Sequence, residues 1–78
     1  MPHIALKMLE GRTEAQKQEA AKKLVAALCE ALGCGDHYIT MTIEDFDARE
    51  WQDVFANEIA GKPDALYKKP SYDPKSLL

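Results

Sequence analysis

The chain has few of the features that mark secreted, membrane-spanning or nucleic-acid-binding proteins. Its only two cysteines, Cys29 and Cys34, are too few for the disulfide framework of small secreted domains. No apolar run approaches the ~20 residues of a transmembrane helix, and no basic region precedes a long apolar one at the N-terminus. Basic side chains number 10 against 13 acidic ones, which leaves no positive surplus for a nucleic acid. These absences predict a soluble, cytoplasmic protein that binds neither nucleic acid nor membrane.

What the chain does have is the composition of an ordinary globular protein, with 46% apolar and 29% charged residues. Its 78 residues are enough for one hydrophobic core only. At this size, folding hides only roughly 60% of the surface that the unfolded chain exposes, so an isolated monomer would be marginally stable. We therefore expect a single domain over residues 1–78, stabilised by self-association.

Two segments with alternating apolar residues flank one helical segment. The alternation over His3–Leu9 has the period of a strand, and it returns over Tyr38–Ile43. Thr13 and Gln16 have the spacing of a capping box, which predicts a helix over residues 13–32. The order strand, helix, strand with short connections predicts a βαβ unit with parallel strands, an α/β fold. The helix should bury one apolar stripe, made of Ala21, Leu24, Val25, Leu28, Ala31 and Leu32.

A second, shorter helix is predicted after the second strand. Asp47 and Glu50 again have capping-box spacing, and Gly61 ends the helical pattern. Residues 2–60 are therefore expected to form the core of the domain, and residues 61–78 a C-terminal extension with an extended tail. The apolar stripe of the second helix is Trp51, Val54, Phe55 and Ile59.

A sheet of two strands leaves strand edges unpaired, and dimerisation into a four-stranded sheet would pair them. The larger apolar side chains of both strands are expected to face the helices, which leaves a semi-polar face opposite. Burying that face in a larger ring would leave polar groups without partners, so a homodimer is favoured over a hexamer. The expected apolar face comprises Ile4, Leu6, Met8, Ile39, Met41 and Ile43, and the semi-polar face comprises His3, Lys7, Thr40 and Thr42.

Pro2 is the residue with the clearest chemical potential. Initiator methionine is normally removed before a small residue, and the exposed proline nitrogen is then a secondary amine that can act as a base. An ordinary α-amino group has a pKa of ~8, so burial or a neighbouring cation would have to lower the pKa for catalysis near neutrality. The alternative is structural, because proline can begin a strand without donating a ladder hydrogen bond.

The chain resembles the 4-oxalocrotonate tautomerase family in three features. These are Pro2, the short apolar strand that follows it, and the segment from Leu9 through Gly11, Arg12 and Thr13 that leads into a capped helix. The resemblance covers residues 2–60. The longer C-terminal ending resembles the slightly larger, dimeric bacterial branch of that family.

The resemblance implies a cofactor-independent isomerase with Pro2 as general base and then general acid on a small enolisable 2-oxo acid, such as phenylpyruvate. Arg12 would bind the substrate carboxylate bidentately and stabilise the enolate. The family's second arginine is absent, since Thr40 occupies its position, and this favours monocarboxylates. Trp51 falls near the family's pocket aromatic, but its place in the apolar stripe suits core packing equally well.

Several alternatives stay open on the sequence. A hydratase or dehalogenase of the same superfamily would use the same base, and a chain that retains Met1 would be a non-catalytic oligomeric binding protein. Cys29, Cys34 and His37 lack a fourth zinc ligand, so no metal site is predicted. Lys68 and Lys69 would approach a substrate carboxylate only if the C-terminal extension folded over the site.

Overall fold

The computed structural model describes all 78 residues, Met1–Leu78. Strand β1 spans His3–Leu9, helix α1 spans Glu14–Leu32, and strand β2 spans Thr40–Phe46. The strands are parallel, with His3 opposite Thr40 and Leu9 opposite Phe46. The predicted βαβ unit and its α/β fold are therefore confirmed. Helix α2, Ala48–Val54, follows and continues into one π-helical segment, Phe55–Ala60.

Strand β2 begins and ends later than the alternation predicted. Asp36–Tyr38 form a 3₁₀ turn, in which the N–H of Ile39 donates to the carbonyl of Asp36 at 3.0 Å, so Tyr38 lies outside the strand. At the other end the strand continues past Ile43 because β1 still offers pairing partners there. Asp45 interrupts the apolar alternation, but its carboxylate accepts a hydrogen bond from Lys17 of α1, which raises the pKa of Lys17.

The two helices lie on different sides of the sheet. Alternation along β2 puts Ile43 and Asp45 on one face, where Lys17 of α1 contacts Asp45. Phe46 lies on the opposite face, and its ring meets Trp51 of α2 edge-on at 6.4 Å between centroids. The expectation that one apolar face meets both helices is therefore wrong for α2. Phe46, at the end of β2, packs against Trp51 of α2 on the other face of the sheet.

The single chain buries little of its apolar surface. Val54, at 9% exposure, is the only buried residue, and Leu24 and Leu32 of the predicted stripe are 41% and 60% exposed. The expectation that α1 buries its stripe is wrong within one chain. A two-stranded sheet is only about 5 Å between strand axes, too narrow to cover a helix of 19 residues. None of the helices combines the length and the hydropathy of a transmembrane segment.

The C-terminal extension folds back instead of running free. After a short turn at Pro63–Ala65, residues 70–78 return to α2 and end in a 3₁₀ turn, Pro74–Leu77. The side chain of Gln52 donates to the carbonyl of Pro74 at 2.8 Å. Asp73 caps the final turn by accepting from the N–H of Lys75 at 2.9 Å. The prediction of an extended tail is therefore wrong, because this cap and the Gln52 contact hold the chain end against α2.

Candidate active site

A cavity of about 330 Å³ opens where β1 ends, between the β1–α1 turn, α2 and the C-terminal extension. Three separate parts of the chain thus contribute to its wall. We refer to this space as the Arg12 cavity. Its lining residues are Lys7, Met8, Leu9, Arg12, Trp51, Tyr72 and Leu77.

The turn that carries Arg12 is fixed at both ends. Gly11 has a φ of 122°, a conformation that side-chain-bearing residues rarely adopt. On one side of it, the N–H of Glu10 donates to the carbonyl of Phe46 at 2.8 Å. On the other, Thr13 caps α1 in the predicted capping box. The turn therefore presents Arg12 at the cavity, where its exposed guanidinium has no ion pair within the chain.

Trp51 both contacts the core and lines the cavity. Asp47 and Glu50 form the second predicted capping box, and its cap, Asp47, lies four residues before Trp51. One edge of the half-buried ring system meets Phe46. Its Nε1–H donates to the hydroxyl of Tyr72 at 2.9 Å. Trp51 thus lines the cavity and also packs against Phe46 of β2, and its role in a substrate pocket stays a prediction.

The cavity is electropositive although the chain carries a net charge of −3. Both charged residues in its wall, Lys7 and Arg12, are cations, and no carboxylate lines it. Nζ of Lys7 lies 3.6 Å from Oε1 of Glu58 and 6.0 Å from the centroid of the Phe46 ring. A hydrogen bond from Lys62, together with the charges of Lys62 and Lys7, lowers the pKa of Glu58. An anion with an apolar body suits this arrangement.

Pro2 lies away from the Arg12 cavity of its own chain. It is half-buried at the start of β1, where its carbonyl accepts from the N–H of Thr40 at 3.2 Å, and it lines no cavity. At about 3.3 Å per residue, β1 separates its two ends by about 20 Å. The structure therefore brings Arg12 and Trp51 together and leaves Pro2 at the opposite end of the strand.

Sequence reasoning assigned none of Lys7, Met8 and Leu9 to the site, although they end the strand that leads to Arg12. It also missed Tyr72 and Leu77 of the cavity wall, because it took the tail to be extended. The signal available in the sequence was the Asp73-Pro74 pair, since a capping residue before proline is typical of a helical turn. Lys68 and Lys69 are exposed and line no cavity. The extension therefore contributes an aromatic and an aliphatic side chain to the cavity wall, and no lysine.

A wider cavity of about 700 Å³ lies along α1, next to the turn that follows it. Cys29 and Cys34 both line it, and burial, followed by the proximity of Cys34 and Asp36, raises the pKa of the Cys29 thiol. His37 packs instead on Tyr38, with 4.0 Å between ring centroids. The three candidate metal ligands do not form a cluster.

Comparison with known proteins gives consistent matches. Residues 2–53 match the family model described as "Tautomerase enzyme", a span that includes Pro2, Arg12 and Trp51. A probable tautomerase of Xylella fastidiosa (strain 9a5c) is 36% identical over 73 residues, covering 92% of this chain and 89% of the relative. Tautomerase PptA of Escherichia coli O127:H6 is 30% identical over 73 residues, covering 92% and 97%.

Two further matches are an enzyme of Bacillus subtilis and a protein of known crystal structure. The 2-hydroxymuconate tautomerase of Bacillus subtilis (strain 168) is 40% identical over 45 residues, covering 58% of this chain and 73% of the relative. The crystal structure of YwhB, a homologue of 4-oxalocrotonate tautomerase, aligns with a TM-score of 0.59 and 36% identity, covering 60% of this chain and 77% of that one. With the parallel βαβ unit, these matches show that the chain belongs to the tautomerase family of isomerases.

Proposed function

We propose that this tautomerase acts on small enolisable 2-oxo acids with an apolar substituent, such as phenylpyruvate, and that Pro2 transfers the proton. The observation that carries the proposal is the Arg12 cavity, which combines an unpaired guanidinium with apolar walls and contains no carboxylate. Guanidinium engages a carboxylate through two parallel hydrogen bonds. The indole of Trp51 offers an apolar surface for an aryl group.

A monocarboxylate fits better than a dicarboxylate. No arginine occurs in β2, and Thr40 makes a 2.6 Å hydrogen bond with Nδ1 of His3 at the end of the sheet remote from Arg12. Lys7, the other cation of the cavity, already lies beside Glu58. Arg12 is therefore the one cation of the cavity without an anionic neighbour in the chain, and we propose that it takes the single carboxylate.

Proton transfer requires a free Pro2 nitrogen. With Met1 attached, this nitrogen is part of an amide and cannot accept a proton, so the proposal includes removal of Met1. The free imino nitrogen removes a proton from the carbon next to the oxo group, and the electron pair moves towards the oxygen to form an enolate. Return of the proton to that oxygen gives the enol, and the reverse sequence gives the ketone. Arg12 stabilises the negative charge that develops between these steps.

The site is completed by a second copy of the chain, because about 20 Å separates the two ends of β1. A homodimer brings the N-terminus of one chain to the Arg12 cavity of its partner. The exposed leucines of α1 and the unpaired edges of the two-stranded sheet support such an association. A hexamer built from such dimers would preserve the same pairing of Pro2 with Arg12.

Substitution of the proposed base tests this function. Pro2→Ala should lower the rate of phenylpyruvate tautomerisation by ~10²–10⁴-fold, the usual contribution of a positioned base, with an unchanged far-UV spectrum. Pro70→Ala, which changes an exposed proline of the C-terminal extension, serves as the control. Mass spectrometry of the chain from its native host should show that Met1 is absent. Full activity in Pro2→Ala, or retention of Met1 in the active protein, would contradict the proposal.

A further inference from the structure

The C-terminal extension closes one side of the Arg12 cavity. Tyr72 and Leu77 both line the cavity, although they lie well beyond residues 2–53, which match the family model. The extension is held there by Gln52, which donates to the carbonyl of Pro74. Residues of this segment therefore face whatever the cavity binds.

The hydroxyl of Tyr72 makes one hydrogen bond within the chain, in which it is the acceptor. Its oxygen accepts from Nε1–H of Trp51 at 2.9 Å, and its ring packs edge-on against Phe55 with 5.6 Å between centroids. A phenol has one proton to donate as well as lone pairs that accept. Because indole N–H can only donate, it uses a lone pair of the hydroxyl and leaves the O–H proton free. No acceptor within the chain takes that proton.

The free donor and the unpaired guanidinium line the same cavity. Arg12 and Tyr72 are contributed by opposite ends of the domain, and both offer N–H or O–H groups without an acceptor in the chain. Donors that lack partners around an apolar cavity are complementary to the oxygens of an anion. The hydrogen bond from Trp51 uses a lone pair of the hydroxyl oxygen, so the O–H of Tyr72 stays available as a donor to a ligand.

We propose that Tyr72 donates a hydrogen bond to an oxygen of the bound 2-oxo acid, and that the C-terminal extension is thereby part of the substrate site. Trp51 acts as a positioning residue in this arrangement, since its N–H fixes the hydroxyl oxygen. The inference rests on the proposed function for the identity of the substrate. The hydrogen-bonding role itself requires only that an aryl carboxylate occupy the Arg12 cavity.

The test compares Tyr72→Phe with Tyr67→Phe. Both variants remove one hydroxyl from the same extension, but Tyr67 is fully exposed and lines no cavity. Loss of a hydrogen bond to an anionic oxygen should lower kcat/KM for phenylpyruvate about 10- to 100-fold in Tyr72→Phe and leave Tyr67→Phe at the wild-type value. Equal values in the two variants would overturn the inference.

A binding measurement separates this inference from the proposed function. Phenylacetate has the aryl carboxylate but no oxo group, and calorimetric titration should show about 10-fold weaker binding to Tyr72→Phe than to Tyr67→Phe. In wild-type protein with ¹³Cζ-labelled tyrosine, phenylacetate should shift the signal of Tyr72 and leave that of Tyr67 in place. This second measurement needs no variant to fold.

The outcomes discriminate between the two proposals. Phenylacetate binding that does not move the Tyr72 signal, or no phenylacetate binding at all, would overturn the role of Tyr72. If Pro2→Ala loses activity while Tyr72→Phe keeps it, the role of Tyr72 is again overturned and the proposed function stands. If phenylacetate shifts Tyr72 but the wild type does not tautomerise phenylpyruvate, the role of Tyr72 in binding is supported and the proposed function fails.

Discussion

At the scale of single residues, the position of Arg12 is the main consequence of the β1–α1 turn. A cation near the N-terminus of a helix is unfavourable with respect to the helix dipole, and no acidic side chain of this chain compensates for it. Gly11 permits the turn through its positive φ, and Thr13 caps the helix directly afterwards. The guanidinium therefore forms no ion pair within the chain, which leaves it free for the carboxylate contact that we propose.

Removal of the Arg12 guanidinium should weaken substrate binding more than folding. We expect Arg12→Ala to lower kcat/KM for phenylpyruvate about 10- to 100-fold. KM should rise because the charged hydrogen bonds to the carboxylate are lost, and kcat should fall because the developing enolate loses its stabilising charge. Arg49→Ala removes the chain's other arginine, which is exposed on α2, and should leave both constants unchanged. Steady-state kinetics on the two variants checks this, and a similar KM in both would contradict the assigned contact.

The elements that carry Arg12 and Trp51 could be predicted from local sequence patterns, whereas their proximity was implied only by the family resemblance. Arg12 follows a strand end and Trp51 follows a capping box, so the pattern around each predicts its element and position. Tyr72 could not be found this way. Its place depends on the contacts of Trp51 and Gln52 with a tail 21 and 22 residues further along the chain. Pairing at that separation has no periodic signal.

At the scale of elements, both capping boxes were predictable and both are present. The boundaries of β2 were not, because its first expected residues are used by a 3₁₀ turn and its last ones depend on pairing with β1. The geometry of the second helical segment could also be predicted only in part from the sequence. The π-helical segment Phe55–Ala60 interrupts the regular spacing of its apolar stripe.

The cap of α1 offers a test of this local account. Thr13→Ala removes the acceptor of the Gln16 N–H, which lies 3.1 Å away, and should lower the free energy of unfolding by about 1 kcal/mol. Thr13→Ser retains the hydroxyl and should lower the free energy of unfolding much less. Denaturant unfolding at one fixed protein concentration measures both, since an associating protein gains stability with concentration. Equal losses in the two variants would show that the cap does not stabilise the helix.

At the scale of the whole molecule, one chain leaves much of its apolar surface exposed, and under the proposed function it also leaves the site incomplete. A single buried residue, Val54, and the exposed Leu24 and Leu32 are what remains when a two-stranded sheet is the only cover for a long helix. The same strand that needs a partner for its edge carries Pro2 at one end and leads to Arg12 at the other. Association would therefore complete the hydrophobic core and the active site in one step.

Subunit complementation between Pro2→Ala and Arg12→Ala tests the central claim most directly. Each variant alone should show little phenylpyruvate tautomerase activity. If Pro2 of one chain works with Arg12 of its partner, a mixed dimer contains one site with both residues intact. Unfolding equal amounts of the two variants together and refolding them should then restore about a quarter of wild-type activity, since half of the dimers are mixed and each has one working site. Light scattering should show the mass of two chains in every sample. Activity no higher than the mean of the separate variants would contradict the account.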